Sequence, residues 1–583
     1  MQSIEKKIKF IRSCVMMVTA LITMRLIYLQ IILTEELKYK SEQNFLRWHN
    51  IPSLRGDIVD THRRLLATNR PVVDLYWQAS ACRCTKDEIE RLVHEVAALL
   101  EKPIDHAHLA YTIMRAEKTG TCALIAPHID FSALAKIKEQ YADHPNIVTR
   151  YRFMRYYPHQ LSACHVIGYL NNVEIENSGK MGLEKLLNNV LKGESGATLM
   201  ITDAVGKTVS QTSVRGMQPG DTVCTTLDLD LQLMAEAVFD QELSGSFILM
   251  DPATGALRVL VSRPAFDPSM FLSSITQTQW QELQERRPFL NRALDTAYPP
   301  GSIFKLVTIS AALENEYIDQ DSHWYCCGYS TFCGRRYYCH KREGHGKVSV
   351  MEAVAYSCNP LFFELGKQMD IDLIAHYATM FGLGKPTQIA LSEHKGLIPT
   401  RSWKRKCKGE SWWQGETLSA AIGQSFILAT PMQVARMVSS IFTGYLVNPR
   451  ILETEPIHKE TLNLHRDTLD FLRASMRSVV TTGSGRNVSR IRDMEIYAKT
   501  ATAQTSALAR REEGTQYKEH GWFVCYVRYK HHPPIVIVVL IENIGSSRVA
   551  TGVVGNFLIA YKKYLDAQGG PEKELVGVRM PQV

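Results

Sequence analysis

The apolar positions of this chain change period from stretch to stretch, and each period predicts a different element. From Cys14 to Leu33 (CVMMVTALITMRLIYLQIIL) they run almost unbroken, Arg25 being the one charge. At ~1.5 Å rise per residue, a helix of that length crosses a bilayer. Lys86–Glu101 (KDEIERLVHEVAALLE) has helical spacing and predicts an amphipathic helix. The rest of the stretch from about 34 to 215 mixes short strand-like and helical pieces without a catalytic pattern. From Asp221 the patterns sharpen. TVCTTLDLDLQLMAEAVF predicts a strand and then an Asp-started helix, and SFILMDPATGALRVLVS predicts two strands joined by a Pro–Gly turn. Near the other end, Ile496–Thr505, Trp522–Tyr529 and Ile535–Leu540 are β-rich, the last two separated by KHHPP. Mostly helical sequence lies between these groups, so the pattern predicts a sheet built from both ends of a domain around a helical insertion.

Charge orients the apolar run. Lys6, Lys7, Lys9 and Arg12 precede it, which predicts a cytoplasmic N-terminus and export of everything after Leu33. No small-residue cleavage site follows the run, so an uncleaved anchor is expected rather than a signal peptide. Arg25 either snorkels or meets a partner helix.

Composition narrows the class. At ~150 residues per domain, 583 residues suggest three or four units, or fewer if one is large. Hydrophobic residues at 45%, charged residues at 22%, 35 Gly and 23 Pro exclude disordered, collagenous and polytopic membrane classes. The net charge of +8 comes without a block of like charges, so no nucleic-acid partner is expected. Of 13 Cys, Cys326, Cys327, Cys333, Cys339 and Cys358 crowd into one stretch, which looks like a local site.

The candidate chemistry centres on YPPGSIFKLVTISAALEN. Tyr298-Pro299-Pro300-Gly301 cannot be helical, whereas the spacing from Ser302 to Asn315 can, so Ser302 is expected to begin a helix and share a face with Lys305. A neutral Lys amine takes a proton from a neighbouring Ser hydroxyl, and a helix N-terminus favours the resulting negative charge. Ser-x-x-Lys alone is weak, since it recurs at Ser3–Lys6 and Ser392–Lys395, and an N-cap serine would look the same. Ser357-Cys358-Asn359 and Lys499-Thr500-Ala501-Thr502 supply the remainder of a known motif set.

With those three motifs in order, the sequence resembles a class B penicillin-binding protein. The likeness covers nearly the whole chain: Arg55-Gly56-Asp57-Ile58-Val59-Asp60, Arg155-Tyr156-Tyr157-Pro158, His165-Val166-Ile167-Gly168-Tyr169 and Gly182-Leu183-Glu184 look like the N-terminal motifs. Asn291-Arg292-Ala293, and Ala421-Ile422-Gly423-Gln424 before Thr430-Pro431, also fit the pattern. The resemblance implies an α+β protein with a transmembrane helix, an elongated pedestal domain and a penicillin-binding/β-lactamase-like transpeptidase domain, an antiparallel sheet flanked by helices. Expected bounds are a cytoplasmic N-terminus 1–13, anchor 14–33, pedestal 34–215, transpeptidase domain 216–568 and tail 569–583. It implies a D,D-transpeptidase cross-linking peptidoglycan stem peptides and inhibited by β-lactams. Ser302 would attack the penultimate D-Ala carbonyl, Lys305 act as general base, Ser357 with Lys499 relay the proton to the leaving D-Ala, and Asn359 position the donor. Backbone N–H groups of Ser302 and Thr502 would form the oxyanion hole, with Thr500 and Thr502 binding the donor's terminal carboxylate.

Ala501 stands where the third motif normally ends in Gly. Its methyl removes room for close backbone approach, and slower acylation or altered β-lactam selectivity is expected. Ser425, where the family often has Gly, is a milder departure. A literal Lys118-Thr119-Gly120 precedes the nucleophile and lacks the strand setting, so it is a decoy.

Between the first two motifs, Cys326, Cys339, His345 and Cys358 offer three thiolates and an imidazole suited to tetrahedral zinc. The loop resembles that of elongation-type members, similar to penicillin-binding protein 2, in which a Gly-His-Gly loop and the middle residue of the second motif hold a metal with carboxylates. Disulfide pairing of Cys333 with Cys327 or Cys339 is the competing reading. Zinc would brace Ser357 and Asn359 through Cys358 and so be structural rather than catalytic, and no cofactor is expected for the chemistry itself.

No stretch looks like a glycosyltransferase, so a polymerase partner is expected; the resemblance implies a SEDS-type membrane glycosyltransferase, in an elongation or division complex at the cell inner membrane. Competing functions are a carboxypeptidase or β-lactamase, and a catalytically weakened scaffold or β-lactam sensor.

Overall fold

The computed structural model describes residues 2–38, 46–79, 84–100, 105–142, 144–171, 178–202, 208–272, 275–504 and 514–568. The expected tail 569–583, Glu101 and Thr505 lie outside the described residues. The first helix runs over Gln2–Ile27, followed by a wider helical turn at Tyr28–Ile32. It starts well before the expected Cys14, because Gln2–Arg12 is rich in good helix formers although polar. The segment Lys7–Ile32 is long and apolar enough to cross a membrane, which fits single-pass anchoring. Arg25 lies 5.3 Å from the Tyr28 ring centroid, a cation–π distance.

The described chain divides into two compact units that interleave along the sequence: Met1–Gly56, Asn69–Tyr156 and Lys192–Asp221 form one, and Asp57–Thr68, Tyr157–Leu191 and Thr222–Val583 the other. In the first, Leu46–Ile51, Gly196–Thr202 and Thr208–Arg215 make an antiparallel three-stranded sheet. The predicted amphipathic helix is present at Lys86–Leu100, and it buries Ile89, Val93, Val96, Ala97 and Leu100. They pack with Trp77, Ile113 and Ile125 in one core. The helix His106–Thr119 is capped by the Asp105 carboxylate, which accepts from His108 N–H, and it ends at Gly120 with φ of 68°. Lys118-Thr119-Gly120 is therefore a helix terminus, where Gly supplies the left-handed residue.

The second unit carries the candidate site. Its sheet begins with β1 (Gly245–Met250) and β2 (Leu257–Arg263). The chain then leaves for the insertion, which includes α1 (Lys305–Glu314), the hairpin β3 (Tyr329–Phe332) and β4 (Arg335–Tyr338), and α2 (Asn359–Gln368). It returns as β5 (Met494–Ala503), β6 (His520–Tyr529) and β7 (His532–Ile541), and closes with α3 (Ser547–Gln568). Strand order is β2-β1-β7-β6-β5, all antiparallel, so the two chain ends meet at β1 and β7. The sheet is the one the sequence predicts, with one local difference. Pro533 and Pro534 belong to β7 instead of the loop, at a register shift between Val527 and Tyr529 of the partner strand. A bulge tolerates residues with no N–H to donate.

Alternation along the strands gives the sheet two buried faces. Phe247, Val261, Ile496, Phe523 and Val539 face α3, which contributes Val554, Phe557 and Leu558. Each such side chain contributes about 1.5–3 kcal/mol by leaving water. The opposite face packs on the insertion, with the helix Pro431–Thr443 lying against β7, β6 and β1. Lys499 on β5 is fully buried. Asp60, from the first N-terminal motif, accepts from the N–H groups of His62 (2.9 Å), Arg64 (2.8 Å) and Leu229 (3.1 Å), and so pins the helix Leu229–Val238 by its first turn.

Candidate active site

The nucleophile segment is not a helix start of the expected kind. Gly301–Ile303 is a 3₁₀ turn, and the α-helix begins at Lys305. Pro300 has right-handed helical dihedrals (φ −73°, ψ −14°), but Gly301 takes φ of 54° and interrupts the right-handed run, so no regular helix leads into Ser302. Residues three apart still align along such a turn, which keeps Ser302 and Lys305 on one side.

Neighbouring segments fix this turn by backbone contacts. Tyr298 and Ala429 exchange both backbone hydrogen bonds at 2.9 Å, Gly301 N–H donates to Gly423 O at 3.0 Å, and Trp522 Nε1 donates to Pro299 O at 3.1 Å. A side chain at Gly423, whose φ is 73°, would place its Cβ 2.2 Å from Gly301 O. That close approach is a physical reason for Gly in the Ala421–Gln424 motif. Ser425 sits at φ of 66°, a left-handed backbone that Gly takes more easily. Arg292 Nε and Tyr298 Oη both donate to Glu542, at 3.0 and 2.6 Å, and tie the front of the segment to the end of β7.

Four of the expected polar groups converge behind the turn. Lys305 Nζ, fully buried, donates to Ser357 O (2.7 Å), Ser357 Oγ (3.3 Å), Cys358 O (3.3 Å) and Asn359 Oδ1 (2.7 Å). Lys499 Nζ donates to the same Ser357 Oγ at 3.1 Å and to Thr500 O at 3.1 Å. Burial pushes the Lys305 amine down to about 8, partly offset by the nearby Cys358 and Cys339 thiols. Burial, reinforced by the Lys305 charge, pushes Lys499 well below the usual lysine range. Ser357 Oγ thus bridges two amines that each favour losing a proton. Ser357 itself has φ of 57°, a strained backbone held by these contacts.

Ser302, Ser357, Asn359, Thr500, Ala501 and Thr502 line one cleft of ≈ 700 Å³. Ala501 is 3% exposed, and its Cβ lies 3.4 Å from where a Cβ on Gly301 would sit. Its methyl therefore faces the nucleophile turn. Sequence reading missed Ser484, whose Oγ lies 2.6 Å from Thr500 Oγ1, and the arginines of the β3–β4 hairpin; both line the cleft. The glycine-rich Thr481–Gly485 loop was the only available signal for Ser484.

Cys326, Cys339, His345 and Cys358 also come together, one ligand atom of each lying within 4.8 Å of the others. A hydrogen bond from the Cys358 thiol lowers Cys339, whereas Cys358 is raised, so the pair shares one proton. Cys327 and Cys333 are exposed, and all five are free thiols. The competing reading, a Cys333 disulfide, is not formed among the described residues: Cys339 is buried in the cluster, and Cys333 is exposed at the hairpin tip.

Known proteins match this architecture. The family described as "Penicillin binding protein transpeptidase domain" matches residues 245–558, and "Penicillin-binding Protein dimerisation domain" matches residues 50–225. Peptidoglycan D,D-transpeptidase MrdA of Acinetobacter baumannii is 30% identical over 564 residues, covering 89% of this chain and 82% of that protein. MrdA of Escherichia coli K12 is 25% identical, covering 91% and 90%. A solved chain from work on polymerization and crosslinking by a peptidoglycan synthase complex superposes with a TM-score of 0.73 at 29% identity, over 95% of this chain and 98% of that one. Penicillin-binding protein PBP2 of Helicobacter pylori, solved in complex with MreC, shares the fold with a TM-score of 0.77 at 24% identity, over 89% and 99%. Transpeptidases of this family need no cofactor for their chemistry. From the Ser302 turn to the paired domains that match along its length, the chain belongs to the penicillin-binding protein transpeptidase family, among the class B members of the MrdA (PBP2) kind.

Proposed function

We propose that this protein is a serine-type peptidoglycan D,D-transpeptidase that cross-links stem peptides through an acyl-enzyme on Ser302. The observation that carries the reading is the buried pair of amines, Lys305 and Lys499, meeting at Ser357 Oγ beside the Ser302 turn. In this reading Lys305 accepts the Ser302 hydroxyl proton as Oγ attacks the penultimate D-Ala carbonyl. Backbone N–H groups of Ser302 and Thr502 stabilise the oxyanion. Ser357 and Lys499 then carry a proton to the leaving D-Ala, and an acceptor amine resolves the ester. Asn359 positions the donor, and Thr500 and Thr502 take its terminal carboxylate next to Lys499. β-Lactams inhibit by acylating the same serine.

The proposal extends to the setting. Residues 34–215 act as pedestal and 216–568 as transpeptidase domain. Lys6, Lys7, Lys9 and Arg12 hold the N-terminus in the cytoplasm, and the catalytic unit faces the extracytoplasmic side of the inner membrane. A SEDS-type glycosyltransferase supplies the strands. Cys326, Cys339, His345 and Cys358 hold a structural zinc, because tetrahedral ligands on ~2.3 Å Zn–S bonds stand about 3.8 Å apart, a small contraction of the observed cluster. The ion braces Ser357 and Asn359 through Cys358 and takes no part in the acyl transfer.

Covalent labelling with a fluorescent penicillin tests the reading. Wild type is expected to label at Ser302, and Ser302→Ala and Lys305→Ala not to. A folded wild type that takes no label and does not turn over stem peptide would refute it.

A further inference from the structure

The β3–β4 hairpin and the turn that follows it, beside the cleft, carry a concentration of charge that the acyl-transfer chemistry does not use. Arg335, Arg336 and Arg342 are exposed and line the same cleft as Ser302. None of the three pairs with a carboxylate among the described residues. Other arginines of this unit do: Arg64 with Asp60 and Asp230, Arg292 with Glu542, Arg401 with Asp370. Instead, Arg335, Arg336 and Arg342 lie over the rings of Tyr337, Tyr329 and Tyr338 at 5.4, 4.8 and 4.0 Å. Stacking fixes the guanidinium planes and leaves their N–H edges open. Glu519, buried, is the only carboxylate among the described lining residues. The cleft therefore has a cationic wall whose three arginines form no ion pair with a carboxylate among the described residues.

The wall is held in register with the catalytic groups. Asn359 Nδ2 donates to Tyr338 O at 3.2 Å, and Ser330 Oγ donates to Glu364 of α2 at 2.7 Å. Cys339, next after β4, belongs to the cysteine–histidine cluster. Tyr337 Oη, buried in the same wall, has no hydrogen-bond partner among the described residues. In the proposed pose the donor's terminal carboxylate lies along β5, so the hairpin on the Asn359 side meets the residues upstream of the scissile bond.

We propose that Arg335, Arg336 and Arg342 form a subsite for a carboxylate on the donor stem peptide, upstream of its D-Ala-D-Ala end. The preferred substrate class is then stem peptides carrying a free acidic group there, over their amidated counterparts. This inference rests on the transpeptidase reading and deepens it. Arginine forks bind carboxylates by paired, charge-assisted hydrogen bonds.

The test uses the full-length protein in detergent and two synthetic pentapeptides ending in D-Ala-D-Ala, identical except that the third residue bears a side-chain carboxylate or its carboxamide. D-Ala release gives kcat/KM, and penicillin labelling of Ser302 is the control. Wild type is expected to favour the carboxylate peptide by about ten- to a hundredfold, as a charged hydrogen bond allows. The preference should shrink as salt rises. Arg336→Gln and Arg342→Gln should lose most of it while leaving the carboxamide peptide and penicillin labelling unchanged; Arg336→Lys should retain part. Equal turnover of the two peptides by wild type would overturn the subsite, as would equal losses on both peptides in the variants. Failure of penicillin to label wild type would instead overturn the transpeptidase reading, and this one with it.

Discussion

Ala501→Gly isolates the effect of one methyl at the centre of β5. Ala501 pairs with Trp522 across the sheet, is 3% exposed, and has its Cβ 3.4 Å from the Cβ position of Gly301. Removing it loses about 0.8 kcal/mol of methyl burial and another 0.5–1 kcal/mol of strand backbone entropy, about 1–2 kcal/mol of stability in all. Tm should fall by a few degrees. Acylation should move the opposite way. The methyl stands between the Ser302 turn and the strand carrying Thr502, whose N–H groups are the proposed oxyanion donors. One such donor is worth about 3 kcal/mol when well placed, so letting turn and strand adjust by a few tenths of an ångström recovers a fraction of that. A rise of about three- to tenfold in the acylation rate constant is expected, differing between a small and a bulky β-lactam. Stopped-flow acylation with both drugs, beside thermal unfolding, measures the two effects separately. A variant that loses stability yet is acylated no faster by any β-lactam would refute the argument and leave the methyl as packing alone.

Two further outcomes follow from the geometry. Gly423→Ala would force its Cβ to 2.2 Å from Gly301 O, at a φ of 73° that L residues resist, so penicillin labelling should fall more than about tenfold even where circular dichroism shows a folded protein; near-normal labelling would disprove the role given to this contact. His165, buried against Phe266 and held by its Nε2–H to Pro288 O at 2.6 Å, is pushed down to about 4 by burial, with Arg292 and Arg263 adding repulsion. Its folded value lies below the unfolded one, so its contribution is fully present above pH ~6.5 and is lost as pH falls toward about 4, at most about 3 kcal/mol. Denaturant unfolding of wild type should lose stability more steeply than His165→Gln across that window, and equal slopes would exclude the assignment.

How much of this was legible in the sequence depended on whether an interaction is local. Ser302 and Lys305 stand three apart, and the sheet's strands carry their own alternation, so both were readable. The interleaving of the two units was not, because returns such as Asp57–Thr68 and Tyr157–Leu191 are fixed by non-local contacts. Within the second unit Gly168 and Gly182 show the kind of contact involved: a Cβ on Gly168 would sit 1.8 Å from Met181 O. Ser484 meets Thr500 only because a helix end folds back on β5, and the hairpin arginines acquire meaning only when Asn359 ties β4 to the second motif. The two departures from family glycines make the same distinction more sharply. Both look alike in sequence, a side chain where Gly is usual. Ser425 adopts the left-handed backbone that Gly would serve, so its cost falls on the main chain. Ala501 lies in a strand at ordinary φ, so its cost falls on the space beside the nucleophile turn, which is where the Ala501→Gly comparison reads it.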